Sequence, residues 1–235
     1  MLRYAVLGVA FLLFVPASGA AAEAAWLDAL PAGWNTPGAP VPQASPIHNP
    51  DLRCRTREVT PTTPEQSALA DKGWRLNDFW PPVSSGGRVL IAALAEYDGM
   101  CRPFDYNVFV FSQGQYAGTL SPVNMNSRFD GSLFAPVSGQ VAEISPSGTI
   151  AAKFIRYADS DPLCCPSRGL SRVMYTVQTS ASGPVVVPMT ITAAPAQVPT
   201  GLPATGFMPD LTLPLAAAGF SLVAVGLAAR RRRQG

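Results

Sequence analysis

Between Arg88 and Thr192 the chain breaks into short apolar runs, most of them closed by a glycine-bearing turn, and this pattern constrains the fold more than any other feature. Arg88–Tyr97 ends at Asp98-Gly99. Tyr106–Phe111 and Gln115–Leu120 flank Ser112-Gln113-Gly114, and Leu133–Val137 and Gln140–Ile144 flank Ser138-Gly139. Pro146-Ser147-Gly148 leads into Thr149–Tyr157, and Ser182-Gly183-Pro184 separates Ser171–Thr179 from Val185–Thr192. Runs this short, joined by turns this tight, are strands of hairpins rather than helices. The expected fold is mainly β, an antiparallel sandwich or a barrel-like sheet. Within Thr149–Tyr157, Ile150, Ala152 and Phe154 share one face and Lys153 points to the other. One short N-terminal helix is expected at Pro64–Trp74, with Thr63 as N-cap, Pro64 at the first helical position and Gly73 near the stop.

Both ends read as addresses. Residues 1–24 place Arg3 ahead of the apolar run Tyr4–Val15, followed by Ala-x-Ala patterns at Ala20–Ala22 and Ala22–Ala24. That order is a secretory signal peptide. About 12 apolar residues are too few to span a bilayer, which needs ~20. At the other end, Leu202-Pro203-Ala204-Thr205-Gly206 precedes the apolar run 211–229 and then Arg230-Arg231-Arg232-Arg233. The run is 19 residues long, about 28 Å as a helix, close to the ~30 Å hydrocarbon core. The four arginines are a stop-transfer signal that keeps the C-terminus cytoplasmic.

This ordered set, residues 202–235, resembles the LPxTG cell-wall sorting signal. The resemblance implies a sortase as partner. Its thiol would take the Thr205 carbonyl, release Gly206 and pass the chain to an amine of peptidoglycan or an equivalent wall polymer. Pro203 holds Leu202 extended, as a peptide bound in a groove needs. The expected location is extracellular, anchored to the cell wall, from a precursor that spans the membrane. The alternative is a single-span membrane protein in which LPATG is accidental.

Processing would change the charge balance. Of 17 basic residues the two ends remove five, Arg3 and Arg230–Arg233, and of 15 acidic residues they remove two, Glu23 and Asp210. Twelve basic and 13 acidic residues remain between the cuts, so no basic surface for nucleic acid is expected. Residues 25–50 hold Pro31, Pro37, Pro40, Pro42, Pro46 and Pro50 and read as a semi-extended linker. Within it, Trp26, Leu27, Leu30 and Trp34 are an alternative docking segment. The single histidine, His48, falls there too, which argues against a His-based catalytic or metal site. Residues 51–192 form the β-rich domain, long enough for a core of its own. Residues 193–201 read as a stalk.

The four cysteines are Cys54, Cys101, Cys164 and Cys165. Export to an oxidising compartment makes disulfides the expected state. A bond between Cys164 and Cys165 would close a strained eight-membered ring. Neighbouring side chains on a strand also point apart. One bridge from each of these two to Cys54 and Cys101 is therefore expected. A redox or metal site lacks the usual Cys-x-x-Cys pair and a nearby histidine.

Three stretches carry a second likeness: Ala95-Glu96-Tyr97-Asp98-Gly99-Met100-Cys101, Val108-Phe109-Val110-Phe111 with Gly114-Gln115-Tyr116-Ala117-Gly118-Thr119, and Asp161-Pro162-Leu163-Cys164-Cys165-Pro166-Ser167. Through these, Arg88–Thr192 resembles the LppP/LprE lipoprotein family. The likeness implies an extracytoplasmic protein without an assigned biochemical role. The chain departs from the family in having no lipobox cysteine, and wall anchoring is expected in place of lipid anchoring.

The carboxylates that bear weighing are Glu96, Asp98, Asp105, Asp130, Asp159 and Asp161. Asp159-x-Asp161 has too few oxygen ligands in series for a calcium loop. Glu96 and Asp98 share strand parity, as an acid pair would, but end a strand at a turn. There is no phosphate-cradling loop and no nucleophile elbow, and no catalytic residue, metal or cofactor is assigned. Trp74, Phe79, Trp80, Tyr97, Phe104 and Tyr106 would make a carbohydrate or peptide platform if exposed, and core if not. The expected function is a non-catalytic binding, adhesion or envelope-architecture module for an unknown extracellular ligand. The alternative is a hydrolase of glycans or wall polymers working through paired carboxylates.

Overall fold

The computed structural model describes residues 25–31, 33–46, 52–134 and 140–194. The signal peptide, His48, the sorting motif Leu202–Gly206, the apolar run 211–229 and Arg230–Arg233 lie outside them. Among the described residues no helix is long and apolar enough to cross a membrane.

Among the described residues eight strands form two four-stranded antiparallel sheets. The first runs in the order β1 (Val83–Ser85), β2 (Arg88–Tyr97), β3 (Pro103–Ser112), β4 (Gln115–Thr119). The second runs β5 (Glu143–Ile144), β6 (Ile150–Ile155), β7 (Leu170–Ser180), β8 (Gly183–Ala194). Each sheet is a meander. Of the hairpin expected from Leu133–Val137 and Gln140–Ile144, only Glu143–Ile144 is a strand, paired with β6, and residues 135–139 lie outside the described residues. The β2 bounds match the apolar run Arg88–Tyr97, and the β3–β4 hairpin turns at Gln113 and Gly114, both with positive φ. Among the described residues the sheets do not close into a barrel. The helix α1, Pro64–Ala70, begins as expected. The Gln66 backbone N–H donates to the Thr63 hydroxyl at 3.3 Å, and Gln66 Oε1 accepts from the Thr63 backbone N–H at 3.2 Å.

The sheets face each other across one interior. Leu90, Ala92 and Leu94 of β2, and Val108 and Val110 of β3, meet Ile150, Ala152 and Phe154 of β6 and Val173 and Tyr175 of β7. The Tyr175 hydroxyl donates to the Leu120 carbonyl at 2.5 Å, tying β7 to the end of β4. The alternate residues Ile91, Ala93, Ala95, Phe109 and Phe111 pack on the opposite face of the first sheet, against Leu69, Trp74 and Leu76. This is why Arg88–Tyr97 is apolar without alternation: both faces of β2 are covered.

The proline-rich stretch differs from the linker expected of it. Its described parts lie along the domain as a strap. Trp26 and Leu27 are buried in the inter-sheet core. Trp26 meets Phe154 edge-on, with ring centroids 5.0 Å apart. Asn35 bridges the two sheets. Its amide nitrogen donates to the Thr119 and Val186 carbonyls at 2.9 and 3.1 Å, and its carbonyl accepts from the Thr119 N–H at 2.8 Å. Gly118, with φ +126°, leaves room for that side chain. Further on, Val41 and Ala44 cover the outer face of the first sheet, where Trp74 Nε1 donates to the Pro42 carbonyl at 2.8 Å. Prolines keep the strap extended without needing backbone donors, while its apolar residues and Asn35 find partners.

The disulfides also differ from expectation. Cys54 bonds Cys101, and Cys164 bonds its neighbour Cys165. The physical reason lies in their surroundings. Cys54 is buried in a 3-10 turn, Leu52–Arg57, that packs beside the β2–β3 turn carrying Cys101, with Cα atoms 5.0 Å apart. Cys164 and Cys165 sit on an exposed loop rather than a strand, so strand geometry does not hold their side chains apart.

Candidate functional site

The strap, β8 and the loop between β6 and β7 meet at an open cleft of about 470 Å³. Leu27, Leu30, Ile191 and Ala193 supply apolar wall, and Asp28, Arg156, Arg168 and Ser171 supply polar groups. Arg156 continues the inward parity of Ile150, Ala152 and Phe154, so its guanidinium is delivered to the interior edge. Only 7% of its side chain is exposed. A charge so placed needs partners on every side, and it has them. Nε donates to Asp130 Oδ1 at 3.0 Å, Nη2 to Asp28 Oδ1 at 2.8 Å, and Nη1 to Ser171 Oγ at 3.3 Å. The Tyr157 N–H also donates to Asp130 Oδ1, at 2.7 Å. Burial disfavours the Arg156 cation, but Asp130 and Asp28 outweigh it and raise the pKa.

Arg168 Nη2 approaches the same Asp28 Oδ1 at 3.5 Å. Two guanidiniums thus converge on one carboxylate that is itself more than half exposed. Such a pair of forks recognises planar anions. Asp28, from the strap, supplies that anion from within the chain. Sequence reasoning passed over Asp28, Arg156 and Arg168. The available signal was the parity of Arg156, a charge on the buried face of a strand.

The carboxylates weighed in the sequence occupy several places. Asp98 caps the β2–β3 turn. Partial burial pushes its pKa up, but the Arg102 and Met100 N–H groups and the Arg102 guanidinium bring it below the ordinary value. Asp161 accepts from the Ala158 and Ser167 N–H groups, both at 2.7 Å, and from the Ser167 hydroxyl at 3.0 Å, which lowers its pKa. Asp130 serves Arg156, Asp159 is exposed, and Glu96 is buried in β2. Asp105 has φ +53°, and its N–H is capped by Asn126 Oδ1 at 2.8 Å.

The aromatics go inward. Trp74, Tyr97 and Tyr106 are buried, while Phe79 and Trp80 are partly buried against the core. Trp80 lies 4.9 Å from Tyr106, ring to ring. They fill space instead of forming an exposed platform. Burial, with Glu58 nearby, pushes the Tyr97 hydroxyl up to about 12. Among the described residues, no three His, Cys, Asp or Glu side chains gather to hold a metal.

Two smaller grooves accompany the cleft. One, of about 280 Å³, lies on the outer face of the second sheet by Glu143, Lys153 and Arg172. The other, of about 270 Å³, runs beside the strap at Asn35, Pro40, Tyr116 and Ser121.

The sequence model of the LppP/LprE lipoprotein family matches residues 88–180, from the start of β2 to the end of β7. The domain is therefore similar to that family over less than half of the chain, a likeness that fits an extracellular, envelope-associated protein. No curated protein and no solved structure matches the chain.

Proposed function

We propose that this chain is an exported surface protein, joined covalently to the cell wall by a sortase, whose β domain is a non-catalytic binding or architectural module. The observation that carries the reading is the ordered set Leu202-Pro203-Ala204-Thr205-Gly206, apolar 211–229 and Arg230–Arg233, behind the signal-like residues 1–24. The family match over 88–180 supports an envelope location independently. Asp98 and Asp161 have lowered pKa values, which suits neither of them to the part of a glycosidase's catalytic acid, whose pKa is raised. Asp130 is occupied by Arg156. A binding role is best sought at the Arg156–Arg168 cleft, where cationic forks lie beside apolar wall.

Fractionation of cells expressing the wild type and Thr205→Ala tests the anchor. The wild type is expected in the wall fraction, released by wall-digesting enzymes as a chain ending at Thr205, with the variant retained in the membrane. Both chains remaining uncut in the membrane would overturn wall anchoring and leave a single-span membrane protein.

A further inference from the structure

We propose that Cys164–Cys165 is a thiol-exchange site, reduced and re-formed on the native protein by a dithiol partner, while Cys54–Cys101 stays closed. This goes beyond the proposed function and does not rest on it. The two bridges differ in what they can contribute. Cys54–Cys101 spans 47 positions and has a buried end, so opening it frees a long loop and disturbs the core. Cys164–Cys165 spans one position. It restricts the unfolded chain almost not at all, so global stability gives little reason for it.

Its surroundings suit access instead. Pro162 through Arg168 are all exposed. The loop keeps its shape by ties that do not involve sulfur. Asp161 Oδ2 binds Ala158 and Ser167, the Tyr157 hydroxyl donates to the Leu163 carbonyl at 3.0 Å, and the Arg156 N–H donates to the Gly169 carbonyl at 2.9 Å. Opening the bridge therefore leaves the loop ends anchored. Leu163, 49% exposed beside the sulfurs, offers apolar contact to an incoming partner.

The exchange balances with the dithiol as sole co-reactant. A thiolate of the partner attacks one bridge sulfur, the Cys164–Cys165 bond breaks, and the other cysteine leaves as thiolate. The partner's second thiol then attacks the mixed disulfide. Two electrons and two protons end on Cys164 and Cys165, and the partner becomes a disulfide. Re-formation is the reverse, with an oxidised partner as acceptor.

The test uses the purified full chain. Peptide mapping without reductant should recover Cys164 and Cys165 on one peptide lighter by two hydrogens than its dithiol form. Native protein is then titrated with dithiothreitol and trapped with a maleimide. Two labels, both on this pair, are expected at dithiothreitol concentrations at least about tenfold below those that label Cys54 and Cys101. The Cys164→Ser/Cys165→Ser double variant should lose that early labelling and keep its unfolding midpoint. Coincident reduction of both pairs, labelling without reductant, or bridging of Cys164 or Cys165 to Cys54 or Cys101 would each overturn the proposal.

Discussion

The two sheets share one interior but not the same exposure. The first is covered twice, by the second sheet on one face and by α1, Trp74, Leu76 and the strap on the other. Among the described residues the second is covered once, and its outer face carries Lys153 and Arg172 at the surface. The bridges follow the same division. Cys54–Cys101 fastens the end of the first sheet, and Cys164–Cys165 sits on an exposed loop between strands of the second. The difference teaches where stability and function can each reside. A doubly covered sheet tolerates little change, whereas a singly covered one leaves loops and a charged face available to partners.

The comparison breaks most readily at the covers. Phe109 packs between Trp74, at 4.7 Å, and Tyr116, at 6.4 Å, in the outer cover of the first sheet. Phe109→Ala should cost about 3–5 kcal/mol in urea unfolding, as for buried aromatics generally. Trp26→Ala, which removes the strap's anchor in the inter-sheet core, should fall in the same range. A loss well under 1 kcal/mol for Trp26→Ala would mean that the strap is a linker after all.

The bridges come next. Cys54→Ser/Cys101→Ser should lower stability by about 2–4 kcal/mol, and Cys164→Ser/Cys165→Ser should stay within about 0.5 kcal/mol of wild type. Equal losses would erase the distinction between a structural and an accessible bridge. Asn35→Ala ranks below. It takes the Asn35 partner from the Thr119 N–H and the Val186 carbonyl at the seam between β4 and β8, while the Thr119 carbonyl keeps the Trp34 Nε1 donor at 3.0 Å, and should cost about 1–3 kcal/mol.

Most of the strand layout was legible because tight glycine turns and apolar runs carry local information. The β2 bounds, the β3–β4 hairpin and the Thr63 cap followed from residues close in sequence. The inward face of Ile150, Ala152 and Phe154 was legible for the same reason. What escaped depends on distant partners. Asn35 meets strand atoms 84 and 151 positions away, and nothing near it announces this. Residues rich in proline look alike whether they hang free or lie in a groove, since both need an extended backbone. Disulfide pairing failed on a mistaken local premise, because Cys164 and Cys165 lie on a loop. The site was the least legible part: Asp28, Arg156 and Arg168 are 12 to 140 positions apart and converge only in the fold.

Acid should sharpen the contrast between turn and core. Asp98 and Asp161 have folded pKa values below the ordinary 3.8. The fold therefore prefers the carboxylates ionised. Their stabilising contribution is fully present above the ordinary value and is lost as pH falls through the lowered folded values. Unfolding free energy measured from pH 6 down to pH 2 should decline below about pH 4, and Asp98→Asn should flatten part of that decline. An unchanged slope in the variant would show that Asp98 is not among the groups responsible.

The smallest effect is expected on the open face of the second sheet. Arg172 and Glu143 approach at 3.7 Å with side chains 47% and 66% exposed. Water screens such a pair, and ordering two long side chains offsets much of the attraction, so exposed pairs contribute about 0–1 kcal/mol. Arg172→Ala and Glu143→Ala should each move stability by no more than about 0.5 kcal/mol. A double-mutant cycle isolates the pair from the separate effects of shortening each side chain. A coupling near zero would fit a face held by nothing but its strands, one on which charges can change without disturbing the interior. A coupling above about 1.5 kcal/mol would exceed what exposed pairs give. It would place the pair in a tighter network with Lys153 across the groove, and the second sheet would then have an outer constraint comparable with the cover on the first.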